Sequence, residues 1–501
     1  MYRAYVTRVT NIRPAENADR LNACEVFGNT TIIDKSITED DTIVYFPSDG
    51  QISIEFGEKN NLFRRKDDAG NNVGGFIDPV KRNITAIRLR GNRSDGLVLP
   101  LSCLNYCYAH GDASIELRVG DVIDGCVNGH EICQKYIPRT SKSARVSGGG
   151  NKTRKHKTPT APLFAEHADT EQLAYNLSAF KSGDEIEITL KCHGTSQRTG
   201  YLPVLQGYKD TWPCRVGNAF RHILNKLDGG HREDTHDGEP IYDWGYVSGT
   251  RRVVLDSYEG GFYGDNQFRE QHSKVFEGKL NKGETVYYEV VGFTTSGQPI
   301  MGDASNKKLN DKEFIKQYGE TTRFSYGCAP DGKKTVWGKD EDGNYSIGIE
   351  VPQSDIYVYR MTMTNEDGFV IEYTPDFMRY RCEQMGVKCV PVFYKGTIPE
   401  FTDHIYLDKN GNEVMEDPER VYSIPTDPGA WVVEKAEQFY DGPDPIGKTH
   451  VREGVVVRII NRPKFTAYKH KNFSFKCIEG IIKDTAAAPD MEEAQDVSED
   501  T

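Results

Sequence analysis

No Cys-x-x-Cys pair occurs among the eleven cysteines, which are scattered from Cys24 to Cys477. That absence, with an odd count, argues against a disulfide framework and against a zinc knuckle built on close cysteine pairs. No apolar run approaches the ~18 to 20 residues needed to span a bilayer. The opening MYRAYVTRVTNIRP also lacks the apolar core of a signal peptide. A soluble intracellular protein with no membrane partner is expected. Positive charge is in deficit too: 62 Lys and Arg stand against 75 Asp and Glu, a formal net charge of −13. Such a balance disfavours a polyanionic partner, unless separate regions of the chain carry opposite charge.

What is present is length and pattern. At 501 residues and 37% apolar content, the chain can bury more than one core, so two or three domains are expected. Residues 1–137 carry short alternating or apolar runs (AYVTRVTNI, ACEVFG, TTIID, DTIVYFP, ITAIRLRG, DGLVLPL) between Gly, Asn and Asp turns. They predict a small all-β domain, a β-barrel. Around residues 138–160 the sequence is rich in Gly, Ser, Thr and Pro. Lys135, Arg139, Lys142, Arg145, Lys152, Arg154, Lys155 and Lys157 occur there without an acid. This reads as a flexible basic linker, able to add sequence-independent affinity for a polyanion. Residues 161–483 become mixed. HADTEQLAYNLSAF predicts an amphipathic helical turn capped by Asp169 or Thr170, and GNAFRHILNKLDGG predicts a helix closed by glycines. DEIEITLK, TVYYEVVGF, DIYVYRMTM, GFVIEYT and EGVVVRII read as strands. The fold class expected is α+β on an antiparallel sheet. Residues 484–501, with seven acids and no base, read as a disordered acidic tail that supplies part of the net negative charge.

The sharpest local feature is ITLKCHGTSQR, Ile188 to Arg198, where Lys191 ends an apolar strand just before a polar turn. Most lysines are solvated surface, and Lys-x-x-Gly alone carries almost no information. A lysine acts as a nucleophile only as the neutral amine, while its ordinary pKa is about 10.4. Partial desolvation at a strand end, beside other cations and a metal, lowers it. Gly194 would let the turn approach a nucleotide, with His193 and Thr195 orienting phosphate or ribose. Glu289, an acid within an apolar strand, needs donors to accept or a metal-bound water; an edge-strand salt bridge is the alternative.

In order, ADTEQLAYN, ITLKCHGTSQR, YVSGTRRVVL, YYEVVGF, EGVVVR and FSFK resemble the covalent nucleotidyltransferase superfamily of polynucleotide ligases and capping enzymes. The DTEQL and HGTS segments resemble RNA ligases, and the Deinococcus-type RNA ligases, which join an N-terminal OB-fold domain to the transferase domain, are the nearest match. PAENADRLNACEVFG likewise resembles the start of OB-fold nucleic-acid-binding domains. The resemblance implies that Lys191 is the catalytic nucleophile toward ATP. It implies nucleotide contacts from Leu190, His193, Gly194, Arg251, Glu289, Tyr359, Glu453, Lys471 and Lys476, and metal contacts for Mg²⁺ or Mn²⁺ from Glu453 and Glu289. Arg251 and Arg252 are expected to point to opposite faces of a strand, and Arg251 matches the family's Gly-Ser-Arg segment. Tyr359 resembles the base-stacking aromatic, although Tyr357 shares its period-2 facing. Lys476 matches the family's final lysine. Ser474 stands where some relatives have another, so Lys469 or Lys471 is left to complete that element. The activity implied is ATP-dependent sealing of RNA 3′-hydroxyl and 5′-phosphate ends, in a nicked duplex or an RNA–DNA hybrid, by a monomer. An mRNA guanylyltransferase and a non-catalytic RNA-binding protein are the alternatives.

Overall fold

Along Glu185–Lys191, apolar Ile186, Ile188 and Leu190 alternate with Glu187, Thr189 and Lys191, so a strand here buries one face and presents the other. The computed structural model describes residues 2–484, except 17, 19–20, 67–71, 90–91, 137–158, 231, 233, 256–257, 259–262, 264–265, 302–311, 320–323, 339–345, 402–403, 408–412, 415–421 and 426. The basic residues from Arg139 to Lys157, the tail beyond Asp484, and Asp19 and Arg20 of the OB-fold-like segment lie outside the described residues.

The Lys191 strand is fourth in a five-stranded sheet, in the order Glu171–Gln172, Thr466–Lys471, Gly454–Ile459, Glu185–Lys191, Val392–Thr397. Its pairings are antiparallel apart from Glu171–Gln172, which runs parallel to Thr466–Lys471. On the buried face, Ile186, Ile188, Val455, Val457 and Ile459 pack against Val432 and Ala436 of the helix Pro428–Tyr440. Each fully buried aliphatic contributes about 1.5–3 kcal/mol. Asp427 fixes where that helix begins, accepting the Ala430 amide at 2.8 Å.

Three residues, Cys192 to Gly194, carry the chain into a second sheet. Its order is Pro240–Gly249, Thr195–Tyr208, Glu284–Gly292, Ser354–Thr364, Val370–Glu372, with Lys388–Cys389 also paired to Ser354–Thr364. Lys191 therefore stands where the two sheets meet. Behind the second sheet, Val286, Tyr288, Val290, Ile356, Val358 and Met361 pack on Phe268, Phe276 and the helix Pro375–Met385.

The N-terminal part is all-β in its main elements, but among the described residues no ladder closes into a barrel. A four-stranded sheet (Leu97–Pro100, Ile43–Phe46, Ala4–Thr7, Val122–Ile123) and a three-stranded meander (Thr10–Pro14, Leu21–Val26, Asn29–Asp34) stand as separate sheets. These strands are short, and the core of the larger sheet is completed by Leu101, Leu104 and Ala113 from the helical turns Leu101–Cys107 and Ala113–Ile115.

Two local expectations are corrected. In place of an amphipathic helix, HADTEQLAYNLSAF forms the short strand Glu171–Gln172 followed by 3₁₀ turns at Leu173–Tyr175 and Leu177–Ala179. Backbone pairing captures Glu171–Gln172, while Leu173 and Tyr175 anchor in different cores. Leu173 joins the helix-covered sheet, and Tyr175 stacks on Tyr5 at 4.7 Å. The second correction concerns the C-terminal lysines: the last strand stops at Lys471, and Lys476 lies on the helix Phe473–Asp484. No helix among the described residues is long and apolar enough to cross a membrane.

Candidate active site

Strand register puts Lys191 opposite Gly454 and Gly454 opposite Lys471. Lys191 and Lys471 thus share one sheet face on either side of the residue that follows Glu453. Gly454 makes this spacing possible, because a Cβ there would lie 2.1 Å from the His470 carbonyl oxygen. The Asn472 amide donates to the Glu453 carbonyl at 2.8 Å, fixing the bend that turns the carboxylate toward the lysines. Glu453 Oε1 lies 2.9 Å from Lys191 Nζ and 3.4 Å from Lys471 Nζ. Burial alone would raise the Glu453 pKa, but the Lys191 and Lys471 cations outweigh it and hold the carboxyl well below the usual range. Its other oxygen, Oε2, is buried and faces the His193 ring.

His193 lies behind this group instead of opening on the cleft. Its amide donates to the Tyr326 hydroxyl at 2.6 Å, and its ring meets Phe324 and Phe475 edge-on at 4.8 Å each. Nδ1 stands 3.7 Å from Glu453 Oε2. Gly194 also differs from expectation in what it approaches. A Cβ there would meet the Val290 carbonyl oxygen at 2.4 Å and Glu289 Cγ at 2.9 Å. The glycine thus seats the turn against the Glu289 strand.

Glu289 lies on an interior strand, between Thr195–Tyr208 and Ser354–Thr364, which removes the edge-strand alternative. Ser196, opposite it in register, donates to Glu289 Oε2 at 3.2 Å and lies 3.2 Å from the Tyr359 hydroxyl. Arg269, fully buried on the helix Gln267–Lys274, pins this strand start by donating to the Ser196 carbonyl at 3.1 Å and to Thr195 Oγ1 at 2.7 Å. Tyr359 and Tyr357 touch the same core cluster but differ in burial, Tyr357 lying within it and Tyr359 only partly buried against it. The ladder pairs Tyr287 with Arg360 but Tyr288 with Val358, so Tyr359 is the extra residue of a β-bulge. The bulge re-aims it beside His167 and Ser196, while Tyr357 stays in the core.

Lys191, Ser196, Arg251, Glu289 and Tyr359 line one open cleft, with Leu190 also on its wall. Leu190 is otherwise core, its amide bonded to the Pro391 carbonyl at 2.9 Å. Arg251 reaches the cleft for a reason other than strand alternation. Both arginines lie past the end of Pro240–Gly249, in a turn, and both approach Asp169, at 3.5 Å for Arg251 and 3.3 Å for Arg252. Arg251 is the more enclosed, with 17% of its side chain exposed against 55% for Arg252.

The cleft also contains charges that sequence reasoning missed. Glu187 shares the Lys191 face and accepts from Arg379 Nη2 at 2.7 Å, and Arg458 lines the same wall. Outside the cleft lining, Lys469, two residues from Lys471 on one strand, shares that sheet face opposite Val456. It is one of the two lysines the sequence left open for the last element, and Lys471 is the one beside Glu453. Lys476 is elsewhere: its ammonium binds Asp95 of the N-terminal part and donates to Asn29 Oδ1 at 3.2 Å. Ser474, on the same helix as Lys476, occupies no strand position next to Lys471.

No protein-family model matches the chain, and no curated protein matches it in sequence. Solved structures of an RNA ligase from Naegleria gruberi are similar to it. A variant with AMP and Mn has a TM-score of 0.48 at 14% identity, covering 94% of this chain and 97% of that one. A variant with ATP and Mn gives 0.47 at 15%, covering 94% and 98%. The ligase with PPi gives 0.48 at 17%, covering 94% and 97%. At these values the likeness assigns no residue a role.

The chemistry of the site rests on its own atoms. Two lysines flank one buried carboxylate, and Lys191 shares the cleft with a second carboxylate, a re-aimed tyrosine and an arginine. Cations so placed suit a phosphate-bearing ligand, and the carboxylate oxygens are the hard donors that Mg²⁺ or Mn²⁺ prefers.

Proposed function

We propose that the chain is an ATP-dependent RNA ligase of the Deinococcus type, with an OB-fold N-terminal domain and an adenylyltransferase domain over residues 161–483. The observation that carries this reading is the 2.9 Å pairing of Lys191 with buried Glu453 at the wall of the cleft shared by Glu289, Tyr359 and Arg251. Lys191, having lost its ammonium proton to solvent, attacks the α-phosphorus of ATP as the neutral amine; a nitrogen–phosphorus bond forms, the bond to pyrophosphate breaks, and a second N–H proton leaves to solvent. Glu453 holds the lysine in line before attack, and Lys471 offsets the charge that grows on the α-phosphate. AMP then passes to an RNA 5′-phosphate, restoring Lys191, and a 3′-hydroxyl displaces AMP to seal the strand. Glu289 accepts from ribose hydroxyls, Tyr359 stacks on the base, and Arg251 holds ribose or the incoming 5′-phosphate. A divalent cation, held by Glu453 and Glu289, would supply further neutralisation of phosphate charge. The N-terminal domain and the basic linker hold RNA through its backbone, which makes nick binding steeply salt-dependent.

The deciding experiment is mass spectrometry after incubation with ATP and Mg²⁺, with a parallel GTP reaction. AMP on Lys191 is expected. A GMP adduct would turn the reading to a capping enzyme, and an adduct elsewhere or none at all would overturn it.

A further inference from the structure

The helix Trp212–Asp228 is inside out. It projects from the loop joining Thr195–Tyr208 to the edge strand Pro240–Gly249, and it is tied down by its polar side. Asn218 Nδ2 donates to the Thr235 carbonyl at 2.6 Å, Asn218 Oδ1 accepts from the Thr235 amide at 3.0 Å, and Asn225 Nδ2 donates to the Arg232 carbonyl at 3.0 Å. The apolar side faces out. Trp212, Val216, Phe220, Ile223 and Leu227, at spacings of four, four, three and four, form one stripe along more than four turns. Trp212 is 76%, Phe220 63% and Leu227 78% exposed. Scattered exposed apolar residues need no explanation, but a contiguous helical stripe does.

The stripe is complementary to itself. Set antiparallel about the midpoint of Ala219 and Phe220, Trp212 meets Leu227 of a second helix and Val216 meets Ile223. Each Phe220 then lies over the small, exposed Ala219. Large residues face small or medium ones throughout, and the contact is isologous, so it closes at two copies. With aromatic side chains at ~150–250 Å² each and three aliphatics beside them, the patch amounts to roughly 600 Å² per copy. Two copies then bury about 1,200 Å², the lower bound of a specific interface. In this register Arg215 falls opposite Leu224 and Lys226 opposite Pro213, so the like charges at the edge are offset and screenable by salt.

We propose that two copies of this chain associate through the apolar faces of their Trp212–Asp228 helices, in place of the monomer the sequence suggests. The inference does not rest on the ligase reading. Sedimentation velocity of the full, ribonuclease-treated chain over a concentration series tests it. The expected result is a concentration-dependent species of twice the monomer mass, with a dissociation constant below about 100 µM. It should persist or strengthen as NaCl rises, since the driving force is apolar and the edges repel. Phe220→Glu, at an exposed position, should return the protein to monomer without changing its melting temperature, and Ala219→Cys should cross-link two copies on oxidation where Arg221→Cys does not. Monomer at every concentration, a dimer that survives Phe220→Glu, or one that dissolves with moderate salt would each overturn the proposal.

Discussion

Lys476, on the last helix, is bonded to Asp95 of the N-terminal part, and both side chains are enclosed. Ser48 Oγ also donates to Asp95, so the carboxylate is held from both sides of the contact. A lysine matched by resemblance to the α-phosphate is thereby engaged in joining the two halves of the molecule. Removing one member of a buried pair strands the other charge, at about 3–5 kcal/mol. Lys476→Met is therefore expected to lower the melting temperature strongly, and Asp95→Asn combined with it to recover part of the loss. Thermal denaturation of the two single variants and the double variant checks this. Additive losses would mean that the pair is not a coupled unit.

Glu453 governs two cations at once, which separates its variant from that of either lysine. Glu453→Gln removes the charge that orders Lys191 and Lys471 and leaves two ammonium groups close together. Formation of the lysyl adduct is expected to fall by ~10²-fold, the scale of loss when a reacting group is misplaced by about 1 Å. Lys471→Ala, which leaves the 2.9 Å Lys191 contact intact, should cost less. Rates of AMP transfer from labelled ATP decide the order, and an equal loss in both variants would contradict this division of roles.

Much of this frame was legible because it is periodic. Alternation along Glu185–Lys191 and Gly454–Ile459 identified strands and their faces, and an isolated acid in an apolar run singled out Glu289. What escaped depends on local breaks in period or on pairing across the chain. The bulge at Tyr359 has no sequence mark, so Tyr357 and Tyr359 looked equivalent until the ladder placed them. Glu171–Gln172 carries a helical pattern but is taken by the Thr466–Lys471 edge, a tertiary effect that outweighs propensity. Arg379 reaches Glu187 across 192 positions, a separation at which no motif operates.

That bulge separates the two tyrosines functionally. Tyr359→Ala, at the cleft wall, should weaken ATP binding by ~10-fold or more, in line with ~1–3 kcal/mol for a lost base–aromatic stack, and cost less stability than loss of a fully buried ring. Tyr357→Ala should do the reverse, because its ring is core and large-to-small aromatic changes cost about 3–5 kcal/mol. Isothermal titration paired with denaturant melts distinguishes them, and a swap of the two phenotypes would reject the assignment.

Gly194 offers a test of the sheet junction. Because a Cβ there would collide with backbone at 2.4 Å, Gly194→Ala must push the Cys192–Gly194 turn away from the Glu289 strand. Overpacking of this kind costs about 1–3 kcal/mol. Adduct formation should fall by more than ~10-fold, since small displacements of a positioned nucleophile are costly. Normal adduct formation in a folded Gly194→Ala protein would show that the close approach does not position Lys191.

His450 supplies the pH dependence. Its ring is fully buried beside Phe324 and Tyr326, and its Nδ1 donates to the Val451 carbonyl at 2.9 Å. Burial pushes its pKa down from 6.5 to about 4, so the folded protein keeps it neutral where the unfolded chain would protonate it. The contribution to stability is complete above pH 6.5 and is lost as the pH falls through about 4, up to ~3 kcal/mol in all. Asp444 opposes it below pH 6, because burial raises its carboxyl to about 6 and favours the folded state in acid. The difference between wild type and His450→Asn, which keeps a donor for the Val451 carbonyl, isolates the histidine. Between pH 7 and pH 4.5 the wild type should lose more stability than the variant. Parallel melting curves for the two proteins across that range would mean that His450 does not titrate with unfolding.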